Sequence, residues 1–185
     1  MSYRDDWPIR FAEIGISLRR TLGDAACRID HIGSTAVSGL AAKDIIDVQV
    51  SVRTLAPEID DALNLSGYRR LKHITGDHIP PGASDNPAEW EKWFFKPLAI
   101  DSPVNVHVRI QGRENQRYPL VFRDYLRSNS AATAAYSSVK QGLVKHNFVD
   151  PDAYCDIKDP VCDIIIQAAE LWASANEWTL GLSDA

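Results

Sequence analysis

Cysteine is scarce in this 185-residue chain: Cys27, Cys155 and Cys162 are its only three. None forms a CxxC pair, and none has a metal-like spacing to histidine. So odd and sparse a set excludes a disulfide framework and points to reduced thiols in a cytoplasmic protein. Long apolar runs are missing as well. The stretch VCDIIIQAAELWA carries Asp163 and Glu170 and is too short to span a bilayer. The opening MSYRDDWPIR places acids where a secretory signal needs an apolar centre, so no membrane partner is expected. A basic excess is also lacking. The formal net charge of −5 excludes broad, sequence-independent nucleic-acid binding. It leaves room for a local basic pocket: Arg109, Arg113, Arg117, Arg123 and Arg127 cluster, with Lys140 and Lys145 beyond them. Glycine and proline, 10 each, are too few for a disordered chain.

What remains is a globular composition, 45% hydrophobic and 24% charged, of a length that fits one domain over residues 1–185. Residues 8–22 repeat apolar side chains at helical spacing, with Pro8 in the first turn and Gly23 at the end. Strands are predicted at 27–32 and 45–52, followed by a helix capped by Thr54 and reaching about Leu65. A strand at 68–74 follows. TGDHIPPGASDNP (75–87) is dense in turn formers and is a loop of the length common in lids and binding loops. Strands at 90–97 and 103–112 form a hairpin around Leu98–Ser102. Helices follow at 116–128, 130–147 and 151–177, the last interrupted at Pro160. The pattern is α+β: a sheet-bearing core (1–112) whose mixed sheet is backed on one face by helices, then a helical part (113–185).

Side chains two apart on a strand share a face. In IIDVQV, Asp47 and Gln49 therefore oppose Ile46, Val48 and Val50. In VNVHVRIQ, Asn105, His107, Arg109 and Gln111 oppose Val104, Val106, Val108 and Ile110. A solvated sheet face would account for either strand alone. An acid, an imidazole and a guanidinium together favour a functional face. Ahead of the first strand stands HIGST. Gly33 allows unusual backbone angles, Ser34 and Thr35 offer hydroxyls, and the amides of such a turn can hold an anion.

HIGSTAVSGLAAKDIIDVQV, NVHVRIQG and FRDYLRSNSAATAAYSSVK together resemble the GrpB family of bacterial proteins. The similarity runs from RDDWPIRFAEIGISL to the helical tail. It implies a nucleotidyltransferase-like fold, related to DNA polymerase beta and the small antibiotic nucleotidyltransferases. GrpB-like domains also occur fused to dephospho-CoA kinase. In that superfamily a Gly-Ser turn holds the nucleotide triphosphate. A D-x-D pair and a third carboxylate hold two magnesium ions, which clamp phosphoryl oxygens. Carried over, Gly33, Ser34 and Thr35 match the turn and Asp47 the first acid. Gln49 stands at the second acid position and His107 on the strand of the third. Lys43, Arg109, Arg123 and Lys140 match basic positions that bind phosphate. The resemblance implies a divalent metal, Mg²⁺ or Mn²⁺, on Asp47, Gln49 and His107, with Asp47 and His107 catalytic. An imidazole in the set suits Mn²⁺ or Zn²⁺ better than Mg²⁺.

Other candidates are weaker. Asp44 lies on the opposite face from Asp47 unless the strand bends. Glu91 has no spacing argument. His31, in the family's EHIGST-like block with Asp30 in place of Glu, faces either the cleft or solvent. His73, Asp77 and His78 lack a fourth fixed ligand for a metal. Arg123 serves either phosphate or an intrahelix pair with Asp124, and Tyr125 and Tyr136 read as packing residues. Three functions fit: nucleotidyl or phosphoryl transfer on a nucleotide or other phosphorylated small molecule, a catalytically incomplete nucleotide- or phosphate-binding domain, or a metal-dependent hydrolase on the same face. A Ser34–His–Asp47 hydrolase would lack a nucleophile elbow.

Overall fold

A computed structural model describes residues 1–99, 103–146 and 151–185. Helix α1 (Trp7–Leu22) buries Trp7, Phe11, Gly15, Leu18 and Leu22, which are three or four residues apart and so share one face. It ends at Gly23, whose φ of 52° is open to glycine at little cost. Strands β1 (Ala26–Ile32) and β2 (Ile46–Val52) follow, then α2 (Pro57–Leu65), β3 (Tyr68–Arg70), β4 (Lys92–Pro97) and β5 (Val104–Ile110). Helices α3 (Glu114–Ser128), α4 (Ser130–Lys145) and α5 (Pro151–Ala175) complete the chain. No helix among the described residues is long and apolar enough to cross a membrane.

The sheet is mixed, in the order β1-β2-β5-β4-β3. β2 and β5 run parallel at its centre and the other pairs are antiparallel. Its apolar face, with Ile29, Ile46, Val48, Val50, Val104, Val106, Val108 and Phe95, packs under α1 and α2 into the main core. The α+β expectation thus holds. A second layer of α3, α4 and α5 stands over the polar face. Val121, Ile166, Ala169 and Ala173 pack α3 to α5, and Val37, Leu40, Leu126 and Tyr136 join them to the chain after β1. The cleft lies between that layer and the sheet.

β1 is an edge strand, and residues 181–185 cover its free edge. The amides of Asp184 and Ala185 donate to the Ile29 carbonyl at 3.1 Å, and Ile29 N donates to Ser183 Oγ at 2.9 Å. Arg123 of α3 clamps this segment through Asp184 Oδ2 at 2.7 Å.

Four boundaries depart from the pattern. Thr54 caps nothing: α2 begins at Pro57 after an extended Ala56, because proline presets the first helical turn and pushes its predecessor out of the helical region. The strand expected over 68–74 pairs only through Arg70. The strand expected from Trp90 starts at Lys92, after a single helical turn over 87–90. Helix α5 continues through Pro160. A proline there removes one backbone hydrogen bond, and the packing of Cys162, Ile166 and Ala169 outweighs that loss. Residues 100–102 of the expected hairpin turn lie outside the described residues.

Phe95 is fully buried and Leu65 is 91% exposed. Phe95→Ala is expected to cost about 3–5 kcal/mol in urea denaturation, and Leu65→Ala less than about 0.5 kcal/mol.

Candidate functional site

Register builds the polar face. Gln49 pairs across to Asp30 on β1 and to His107 on β5, while Asp47 lies opposite Ile32 and Asn105. At the end of β1 the chain turns at Gly33, with φ +71°, into a single helical turn over 34–36. A Cβ on Gly33 would lie 2.5 Å from Asp47 Oδ2, so only glycine lets the Asp47 carboxylate abut the turn. Asp47 Oδ1 accepts from Asn105 Nδ2 at 2.8 Å and faces His107 Nε2 at 3.5 Å. Burial works against the Asp47 charge, but His107 and Asn105 outweigh it and hold the carboxyl below its usual range. Burial pushes the His107 pKa down more than Asp47 raises it, leaving a neutral ring. Arg109 Nη2 faces His107 Nδ1 at 3.4 Å. A guanidinium can only donate, so Nδ1 is the acceptor and Nε2 carries the proton toward Asp47.

Beside this pair lies a buried lattice centred on Arg109. Its Nε and Nη2 donate to the two oxygens of Asp77 at 2.8 and 2.9 Å, and its Nη1 donates to Gln49 Oε1 at 2.7 Å. Lys92 Nζ reaches Asp77 at 2.6 Å and Asn115 Nδ2 reaches it at 3.1 Å. Burial opposes ionisation of Asp77, yet Arg109 and Lys92 hold its carboxyl well below the carboxylate range. Gln49 Nε2 donates to the Gln116 carbonyl at 2.9 Å, so both ends of the amide are engaged.

On the other side of the turn, Lys140 of α4 donates to Ser34 Oγ at 2.5 Å. It is only 8% exposed. Burial, with Lys158 and Lys43 adding repulsion, pushes its pKa down to about 8. Two cavities meet at Ser34 and Asp47. One, of about 290 Å³, runs from His107 and Arg109 to an aromatic wall of Trp90, Tyr118, Phe122 and Tyr136. The other, of about 250 Å³, is bordered by Lys43, Lys140, Lys158 and Asn105.

The expected residues therefore divide. Gly33, Ser34, Asp47, His107 and Lys140 converge, with exposed Lys43 at the rim of the smaller cavity. Thr35 does not join them: it is buried, donating to the Ile45 carbonyl and meeting His31 Nε2 at 3.0 Å. Arg109 borders the cleft, but its donors are committed to Asp77 and Gln49. Arg123 is tied to Asp124, Asp184 and the His31 carbonyl, all at 2.7–2.9 Å, and works as a structural clamp. His31 faces neither cleft nor solvent. It stacks on Phe11 of α1 at 4.6 Å, and burial, with Arg127 adding, pushes its pKa down to about 4. Asp44 turns away to Trp7, Arg4 and Arg10, and Glu91 pairs with Arg113. His73 is exposed, and His78 bonds Asp163 of α5 at 3.0 Å. Tyr136 is buried and Tyr125 partly buried among the helices, as packing residues.

Lys92, Asn115 and Lys158 are the site residues that the sequence pattern misses, and Asp77, weighed there only as a metal ligand with His73 and His78, enters the site as the partner of Arg109. Asp77 comes from the 75–87 loop, whose first residues are held to the start of β4: Asp77 N donates to the Trp90 carbonyl and Lys92 N to that of Thr75, both at 2.9 Å. The loop's unusual length was the available signal.

The GrpB protein family model matches residues 1–168. The chain belongs to the GrpB family. The crystal structure of conserved protein GrpB from Enterococcus faecalis is similar to this fold with a TM-score of 0.70 and 27% identity, covering 93% of this chain and 98% of that one. A UPF0157 protein of Halalkalibacterium halodurans is 31% identical over 169 residues, 91% of this chain and 80% of that protein. A dephospho-CoA kinase of Mycobacterium tuberculosis is 37% identical over 186 residues, 93% of this chain but 46% of that protein. The chain thus spans about half the length of the dephospho-CoA kinases it matches, and their name describes those longer proteins. The Gly33–Ser34 turn, Asp47 on β2 and His107 on β5 stand in the chain order on which the resemblance drawn from the sequence rests.

The metal set implied by that order does not fit the donors. Gln49 turns its oxygen to Arg109 and its nitrogen to Gln116, and His107 points its protonated nitrogen at Asp47. Among the described residues, no three His, Cys, Asp or Glu side chains are placed to hold an ion.

Lys140 is the strained member. Its folded pKa of about 8 lies below the ordinary 10.5, so the unfolded chain binds more protons between these values. The penalty is complete below about pH 8 and fades as pH rises toward 10.5. Lys140→Met is therefore expected to stabilise the protein by about 1–3 kcal/mol at pH 7. Denaturant titrations at pH 7 and pH 10 should show that advantage shrinking.

Proposed function

We propose that this protein binds a phosphorylated small molecule, of the nucleotide class, with its phosphates on the Gly33–Ser34 turn and its body against the aromatic wall. One observation carries the reading: Lys140 is buried against the Ser34 hydroxyl and pushed toward neutrality by burial and by neighbouring lysines. A buried cation without a carboxylate bonded to it is costly. An anion on the turn would supply the missing charge, and the turn's amides would add donors. The fold's nucleotidyltransferase-like order supports the same placement. The binding reading is favoured over group transfer because the second carboxylate that transfer would use is an amide engaged at both ends. It is favoured over hydrolysis because the Ser34 hydroxyl lies against Lys140, with no histidine positioned to activate it.

The test is ligand-induced thermal shift with nucleoside mono-, di- and triphosphates and pyrophosphate. The wild type should be stabilised by at least one of them. Lys140→Met should bind about tenfold more weakly or worse, equivalent to losing one charge-assisted contact. Wild-type affinity should fall as pH rises above about 8, where Lys140 loses its proton, because an anion favours the charged form. No shift with any of these compounds, or equal shifts in Lys140→Met, would remove the reading. Turnover of a nucleoside triphosphate that disappears in Asp47→Asn would replace binding by group transfer.

A further inference from the structure

We infer that phosphate recognition in this cleft is independent of divalent metal ions, and that position 49 is built as an amide for that purpose. The inference rests on the phosphate-binding reading above and concerns how the charge of the ligand is met.

The Gln49 oxygen accepts from Arg109 and its nitrogen donates to the Gln116 carbonyl. A carboxylate could keep the first bond but not the second, because it has no proton to donate. A glutamate here would set a charged oxygen against a buried carbonyl. The amide is thus the side chain its two partners require, rather than a damaged metal ligand.

A magnesium or manganese site gathers several oxygens bearing uncompensated negative charge. Here Asp77 is spent on Arg109 and Lys92, Asp159 across the cavity pairs with Lys158, and Asp47 accepts from Asn105 and faces the neutral His107 ring at 3.5 Å. Among the described carboxylates lining this cavity, Asp47 alone is left without a paired cation, where a divalent ion needs several such oxygens.

Across the Ser34 turn, the buried Lys140 reaches the hydroxyl beside the cavity that Asp47 also borders. A divalent ion on Asp47 would lie close to that ammonium group and be repelled by it.

Two measurements on the full chain test this. Mn²⁺ titration followed by electron paramagnetic resonance should show no manganese site that depends on Asp47. Calorimetric titration with inorganic pyrophosphate should give the same affinity in EDTA as in Mg²⁺, within about threefold at equal free pyrophosphate. Stoichiometric Mn²⁺ binding that disappears in Asp47→Asn would overturn the inference, as would pyrophosphate binding seen only with Mg²⁺ or Mn²⁺. Binding in neither buffer would remove the phosphate reading and this inference together; binding that needs metal removes this inference alone. Gln49→Glu supplies a second check. It should lower the melting temperature and gain no manganese site, whereas an Asp47-dependent site appearing in Gln49→Glu would show that residue 49 was only a weakened ligand.

Discussion

The buried guanidinium of Arg109 sets the terms for the rest of the cleft. A charge so far from water is tolerable only when carboxylate and carbonyl oxygens surround it in good geometry. Asp77 meets most of that demand, and to do so the 75–87 loop must deliver it to one place. Hence the backbone bonds between residues 75–77 and 90–92, and the side-chain ties of His78 to Asp163 and Gln167 to the Pro81 carbonyl. Gln49 meets the remainder, and its amide nitrogen fixes the start of α3 through Gln116. One side chain on β5 thereby places a loop, a strand and a helix around the same hollow.

Lys140 is the counterexample that gives the cleft its meaning. Both cations are buried to a similar degree, 5% exposed for Arg109 and 8% for Lys140. Arg109 has a bidentate carboxylate, whereas Lys140 has a serine hydroxyl. A protein selected for stability alone would pair the second as it pairs the first, or replace it with an apolar residue. Paired charge reads as architecture, and strained charge reads as an invitation to a ligand. The distinction also explains why two basic residues expected at phosphate, Arg109 and Arg123, turn out to hold the fold together.

Much of the sheet was legible because its physics is local. Alternation in IIDVQV and VNVHVRIQ separates an apolar face from a polar one, and the structure keeps that separation on both strands. The resemblance carried by HIGST and its following strand placed Gly33, Ser34, Asp47 and Lys140 in one cleft. What the pattern could not give depends on contacts between segments distant in sequence. Asp77 reaches Arg109 across 32 positions and Gln49 reaches Gln116 across 67, and no periodicity encodes such meetings. His31 misled for a related reason: alternation fixes its side of β1, but only the arrival of Phe11 from α1 makes that side an interior.

Gly33 and Gln49 then answer the same question from opposite ends of the site. Gly33 gives up its side chain so that the Asp47 carboxylate can press against the turn where an anion would sit. Two negative groups that close repel unless something positive stands between them. In a metal-dependent cleft an ion does so, held by a second carboxylate two residues along the strand. Here that position is an amide locked to Arg109 and Gln116, and the nearby positive charge belongs to Lys140. With Asp47 accepting from Asn105 and facing the His107 ring, the carboxylate is one fixed wall of the pocket. It abuts Gly33 on one side of the turn, while Lys140 holds the Ser34 hydroxyl.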